Sequence, residues 1–167
     1  MTNRLPRPAT LAAAAFLFAA LAPRPVFAQA PAQAHPPSKE LTPCSLVTPD
    51  QIKTLIDTPV VPGKPGSADS HDCTWADAKG VTRVYLSLKD ATDYKDFRAS
   101  MQATGRLLPI TGLAEDAFFV SSVSSSSALY ALKAKRLLLL TVDGLGFSKA
   151  QNQAAEKALA TQILAKL

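Results

Sequence analysis

The chain has 167 residues, enough for one sizeable core and too few for two. Its 18 Lys and Arg against 13 Asp and Glu give a formal charge of +5, but Arg4, Arg7 and Arg24 stand in the first 28 residues, which hold no acid. Setting those three aside leaves 15 bases against 13 acids, scattered along the chain, which argues against a nucleic-acid-binding or anionic-membrane surface.

Residues 1–28 have the layout of a secretory signal peptide. Arg4 and Arg7 make a basic start, Leu11 to Leu21 is an apolar run, and Val26-Phe27-Ala28 is a small-x-small exit. The run is too short to span a bilayer, and Pro23, Arg24 and Pro25 end it. Cleavage near Ala28 is expected, because a cut after Ala30 would abut Pro31. The product would be periplasmic or secreted. Residues 29–41 are rich in Pro, Ala and Gln and too poor in apolar side chains to offset the entropy of ordering. They read as a flexible leader to a single domain over 42–167.

Thr48-Pro49-Asp50-Gln51 is a helix start: Thr48 caps, Pro49 suits the first position, and Gln51 completes a capping box. Val47 and Ile52 stand at staple spacing, and Ile52, Leu55 and Ile56 form one stripe that stops before Pro59. Val60 to Ser70 reads as a loop. Asp72–Ala76 and Val81–Lys89 read as strands joined by the turn Asp77-Ala78-Lys79-Gly80. In the second strand Val84, Leu86 and Leu88 share one face, and Arg83, Tyr85 and Ser87 share the other. Asp90 to Met101 reads as a helix capped by Asp90 or Thr92, with Tyr94, Phe97 and Met101 at helical spacing.

Short strands follow at Arg106–Ile110 and Ala117–Ser121, then a serine-rich stretch, Ser121 to Ser127, expected as a solvated loop. Leu129–Lys133 and Leu137–Val142 read as a hairpin whose tip holds Lys133, Lys135 and Arg136. Leu137 to Leu140 is apolar on both faces, which predicts a central strand covered on both sides. Asp143-Gly144-Leu145-Gly146 breaks it, and Ser148 with Gln151 caps a last helix that can run to the C-terminus. The order predicts an α+β domain: a single antiparallel sheet, helices packed mainly on one face, and a possible strand-strand-helix pseudo-repeat.

Cys44 and Cys73 are the only cysteines. An even count behind a signal peptide argues for one disulfide, the alternative being two free thiols. Neither sits in a lipobox, so no stable membrane anchor is expected after signal cleavage.

Three motifs in series carry a resemblance: Pro43-Cys44-Ser45-Leu46-Val47-Thr48-Pro49, Cys73-Thr74-Trp75, and Gly112-Leu113-Ala114-Glu115-Asp116-Ala117-Phe118. Together they resemble a family of small secreted proteins and lipoproteins of unknown function, best known from actinobacteria. The match covers nearly all of residues 42–167 in order and spacing. The resemblance implies that Cys44 and Cys73 are paired and that the fold is α+β with one sheet. It brings no catalytic motif. Two departures are the missing lipobox and Ala114, where many members have Gly.

No convergent catalytic set stands out. Asp69-Ser70-His71-Asp72 invites a triad or metal reading, but triad members are assembled by the fold rather than by adjacency, and no Gly-x-Ser-x-Gly elbow is present. The only other histidine, His35, lies in the leader, so neither a metal nor a cofactor is expected. Asp143-Gly144-Leu145-Gly146 lacks the residues of a phosphate loop, and Glu115 and Asp116, as strand neighbours, point apart. Trp75 is expected to pack against the disulfide and the first helix, with ligand stacking as the alternative. A possible binding surface comprises Trp75, Arg83 and Tyr85. The leading expectation is a non-enzymatic periplasmic binding or protein-interaction domain whose partner is an envelope protein or small ligand. The alternatives are a small cell-envelope hydrolase using Ser70, His71 and Asp72, or a structural envelope protein.

Overall fold

The computed structural model describes residues 41–67, 70–121, 126–144 and 146–167. The expected signal peptide, and the leader up to residue 40, lie outside the described residues. From Leu41 on, the chain runs α1 (Pro43–Leu46), α2 (Pro49–Ile56), β1 (Lys64–Pro65), β2 (Asp72–Ala76), β3 (Arg83–Asp90), α3 (Tyr94–Ala103), β4 (Leu107–Pro109), β5 (Asp116–Ser121), β6 (Ser127–Lys133), β7 (Arg136–Asp143) and α4 (Lys149–Leu164). All seven strands form one antiparallel sheet in the order β1-β2-β3-β7-β6-β5-β4. The fold is α+β with a single open antiparallel sheet, as the sequence pattern predicts.

Two helices start as their local chemistry dictates. Thr48 Oγ1 accepts from Gln51 N–H while the Gln51 side chain accepts from Thr48 N–H, and Ser148 with Gln151 repeats the arrangement at α4. Each box satisfies backbone N–H groups that the first helical turn leaves without partners. The four-residue α1 was not anticipated; Pro43 at its first position pre-sets the helical φ. The segment read as a loop from Val60 to Ser70 contributes the two-residue β1.

Period-two alternation divides the sheet into two unlike faces. On one, Cys73, Trp75, Val84, Leu86, Leu129, Leu138 and Leu140 are buried with Leu46 and Ile52 of the first two helices and Leu159 and Ile163 of α4. This is the main core. The second face carries a smaller cluster of Tyr94, Phe118 and Val120, with Phe97 and Tyr130 beside it, and among the described residues α3 alone covers it. Three of the four described helices therefore lie on the first face. The strand-strand-helix units β2–β3–α3 and β6–β7–α4 put their helices on opposite faces, so the expected pseudo-repeat is not a spatial repeat.

Several expectations need correction. The helix expected at Asp90 begins at Tyr94, because Asp90 still pairs with Arg136 in the β3–β7 ladder and bonds its guanidinium at 3.1 Å. Asp93, not Asp90 or Thr92, is the cap position, and it makes no side-chain capping bond. The strand β7 is central, but only one of its faces is closed: Leu138 and Leu140 are buried, whereas Leu137 and Leu139 are half-exposed. The last helix ends at Leu164, three residues short of the terminus. Ser127, assigned to a solvated loop, opens β6 and is buried, while residues 122–125 lie outside the described residues.

Candidate functional site

The expected disulfide is formed. Cys44 and Cys73 are bonded with their Cα atoms 5.2 Å apart, which joins α1 to β2. Trp75, two residues beyond Cys73, lies on the same covered face and is 1% exposed. Gly63 passes directly over this pair: a Cβ there would sit 2.5 Å from Cys73 Sγ and 2.6 Å from the Trp75 ring. Neither neighbour is the far end of a flexible chain. Gly63→Ala should therefore destabilise the fold by about 1–3 kcal/mol, the usual cost of overpacking, measurable as a lower urea midpoint with unchanged slope.

Trp75 and the other two residues of the expected binding surface do not share a face. Arg83 and Tyr85 are on the second face. Arg83 is exposed and its Nε donates to Gly80 O at 3.1 Å. Tyr85 is half-buried and its hydroxyl donates to Asp72 Oδ2 at 3.1 Å. Asp72 also accepts from Gly66 N–H at 3.1 Å. The Ser70 hydroxyl, then Gly66, Tyr85 and the charge of Lys89 hold its carboxyl below the usual range against the opposing effect of burial. This carboxylate fastens the loop after β1 onto the sheet.

The same bonds decide what Ser70, His71 and Asp72 do. Ser70 Oγ donates to the backbone carbonyl of Asp72 at 3.2 Å, and the His71 carbonyl accepts from Leu88 N–H at 2.8 Å. The His71 ring is exposed and has no hydrogen bond or ion pair among the described residues. No serine–histidine–carboxylate relay is assembled there, and Asp69 lies outside the described residues. Among the described residues no group of three or more His, Cys, Asp or Glu could hold a metal ion. Glu115 and Asp116 diverge: Glu115 Oε1 accepts from Ala134 N–H at 2.8 Å, while Asp116 pairs with Arg98 on α3 at 2.5 Å. At the hairpin tip Ala134 and Lys135 adopt positive φ of 50° and 64°, and Lys133 Nζ donates to the Leu164 carbonyl at the end of α4. These basic residues brace the hairpin.

The concave features of the second face flank α3. Its aromatic anchors are tightly associated: Phe97 and Tyr130 have ring centroids 4.8 Å apart, and Phe118 stacks on Tyr130 at 5.4 Å. Burial raises the Tyr130 hydroxyl above its ordinary pKa, so this ring stays neutral. One open cleft, about 630 Å³, lies at the start of α3 beside Thr92, Lys95, Glu115 and Lys135. The other, about 200 Å³, is lined by Ser87, Lys89, Phe97, Tyr130, Leu137 and Leu139. Register explains the second cleft, since Ser87, Leu139, Tyr130 and Phe118 lie in one row across β3, β7, β6 and β5. Among the described residues, α3 covers the Phe118 end of that row; Leu139 is left half-exposed, and Ser87 is buried.

Two features escaped the sequence pattern. Ser87 and Lys89 stood in the alternation of β3, but their partners Phe97 and Tyr130 come from elsewhere in the chain. Glu156 is fully buried on α4, with Oε2 accepting from Ser127 Oγ at 2.8 Å and Oε1 from Val142 N–H at 3.1 Å. A readable signal existed: Asn152, Glu156, Leu159 and Ile163 follow one helical stripe, with two polar residues where apolar ones belong. No helix among the described residues is long and apolar enough to cross a membrane. Compared with family models, with curated proteins and with solved structures, the chain matches none.

Proposed function

We propose that this chain is a secreted, periplasmic binding or protein-interaction domain that works without catalysis, in keeping with its resemblance to small secreted proteins and lipoproteins of unknown function. The observation that carries the reading is the uncovered half of the second sheet face. The neighbouring strands β3 and β7 present Tyr85, Leu137, Leu139 and Thr141 half-exposed, where a structural role alone would favour polar side chains. Secretion is supported by the charged, apolar and small-residue segments of residues 1–28 together with the disulfide, since such bonds persist in oxidising compartments. The hydrolase reading finds no support in the geometry of Ser70, His71 and Asp72. The expected partner is an envelope protein or a small ligand, neither nucleic acid nor membrane.

The test is site-specific photo-crosslinking in cells. A benzophenone side chain at Thr141, on the open face, should trap a partner or ligand. The same group at Lys157, exposed on α4, should not. Equal labelling from both positions, or none from Thr141, would remove the basis for the proposal. N-terminal sequencing of the exported protein should begin at Gln29.

A further inference from the structure

We infer that the cleft beside α3 binds a small amphipathic anion: an aromatic or aliphatic carboxylate whose apolar body lies on Leu137 and Leu139 and whose charge faces Lys89. This rests on the open-face reading above and names its ligand. Six side chains build the site, and each part of the ligand has a counterpart among them. Leu137 and Leu139 form an apolar floor, half-exposed in the central strand. Phe97 and Tyr130, in ring contact, form a rigid wall on which a flat apolar group can stack. Among the described residues Lys89 is the only charged one lining the cleft. It is exposed and makes no salt bridge among the described residues.

Ser87 closes the polar end of the floor. It is 1% exposed, it lines the cleft, and its Oγ makes no hydrogen bond of normal geometry. Its hydrogen-bonding neighbour is the Tyr85 hydroxyl, whose pKa it lowers. The Ser87 hydroxyl lies sealed beneath the cleft, so the ligand's charge is matched by Lys89 and not by Ser87. The one acid in the same row, Asp72, opposite Ser87, is already held by Gly66 and Tyr85 and does not line the cleft. Sites of this kind, apolar with a few placed polar groups, are the usual form of small-molecule pockets.

The test uses the mature chain, isotope-labelled, titrated with 2-naphthoate and with its uncharged analogue 2-naphthamide while amide shifts are followed. Naphthoate should shift the amides of Ser87, Phe97, Leu137 and Leu139 and bind more tightly than naphthamide. Lys89→Gln, a change at an exposed position that leaves the fold intact, should weaken naphthoate about threefold to fivefold, the range for an exposed charge pair, and leave naphthamide unchanged. Added salt should weaken naphthoate alone. Leu139→Glu should abolish both. If both compounds bind equally at these amides and Lys89→Gln moves neither, the anion assignment is wrong while the open-face reading stands. If neither compound shifts these amides, the ligand class is wrong, and the crosslink at Thr141 decides the open-face reading independently.

Discussion

Reduction of Cys44–Cys73 should cost the fold roughly 3.5 kcal/mol, the chain-entropy value for a closed loop of 29 residues. That is a large share of the ~5–15 kcal/mol that holds a typical domain together. The loop it closes contains α2 and β1, and β1 is only two residues long, so little other than the bond limits the excursions of this segment once the chain unfolds. The native end also depends on it, because α1 has four residues and cannot persist alone. Urea unfolding with and without reductant, and of a Cys44→Ala/Cys73→Ala variant, measures the difference. Trp75 is the only tryptophan and lies on the disulfide's own face, so its emission should rise and shift as the bond opens. A loss below about 1 kcal/mol would mean that the loop is already restrained in the unfolded chain.

The second large effect is a fall in stability as pH rises from about 4.5 to about 7. Glu156 is completely buried, and burial pushes its carboxyl up from the ordinary 4.5 to about 7. The bonds from Ser127 and Val142 work in the opposite direction, and the charge of Asp143 adds to the rise. Among the described residues no cation bonds this carboxylate. Below pH 4.5 the group is protonated in both states and costs nothing. Between 4.5 and 7 the unfolded chain has released the proton and the folded chain still holds it. Stability then falls by about 1.4 kcal/mol per pH unit, reaching a total on the order of 3 kcal/mol above pH 7. Asp72 and Asp77, whose carboxyls are held low by hydrogen bonds, act with the opposite sign and only below about pH 4. Glu156→Gln keeps an acceptor for Val142 N–H and a donor for Ser127 Oγ. It should flatten the profile between pH 4.5 and 7 and raise stability at pH 8. A profile unchanged by this substitution would show that the carboxylate is solvated in the folded state.

Sequence legibility followed the range of the forces involved. The starts of α2 and α4 were readable because each box is closed within three residues. The faces of β3 were readable because alternation is local. The extent of α3 was not, since the Asp90–Arg136 pairing that delays its start joins residues 46 apart. The same limit hid the buried side of Ser127, whose partner Glu156 is 29 residues away. In the site, Tyr85 was legible as a second-face residue, whereas Trp75, equally aromatic, belongs to the core because its parity follows Cys73. The half-open state of Leu139 depends on where α3 crosses the sheet, and no local pattern carries that information.

The two strands at the margins of the sheet bear on how the protein meets other chains. One margin is Lys64–Pro65 and the other Leu107–Pro109, each very short and each ending in a residue with no amide hydrogen to offer. Such margins give an incoming strand almost nothing to zip onto. The molecule is thus guarded against side-by-side growth into fibrils or strand-swapped pairs, even with a run of four leucines in its centre. A partner must approach it broadside, and what it meets there is side chains, so selectivity rests on their chemistry and not on backbone pairing.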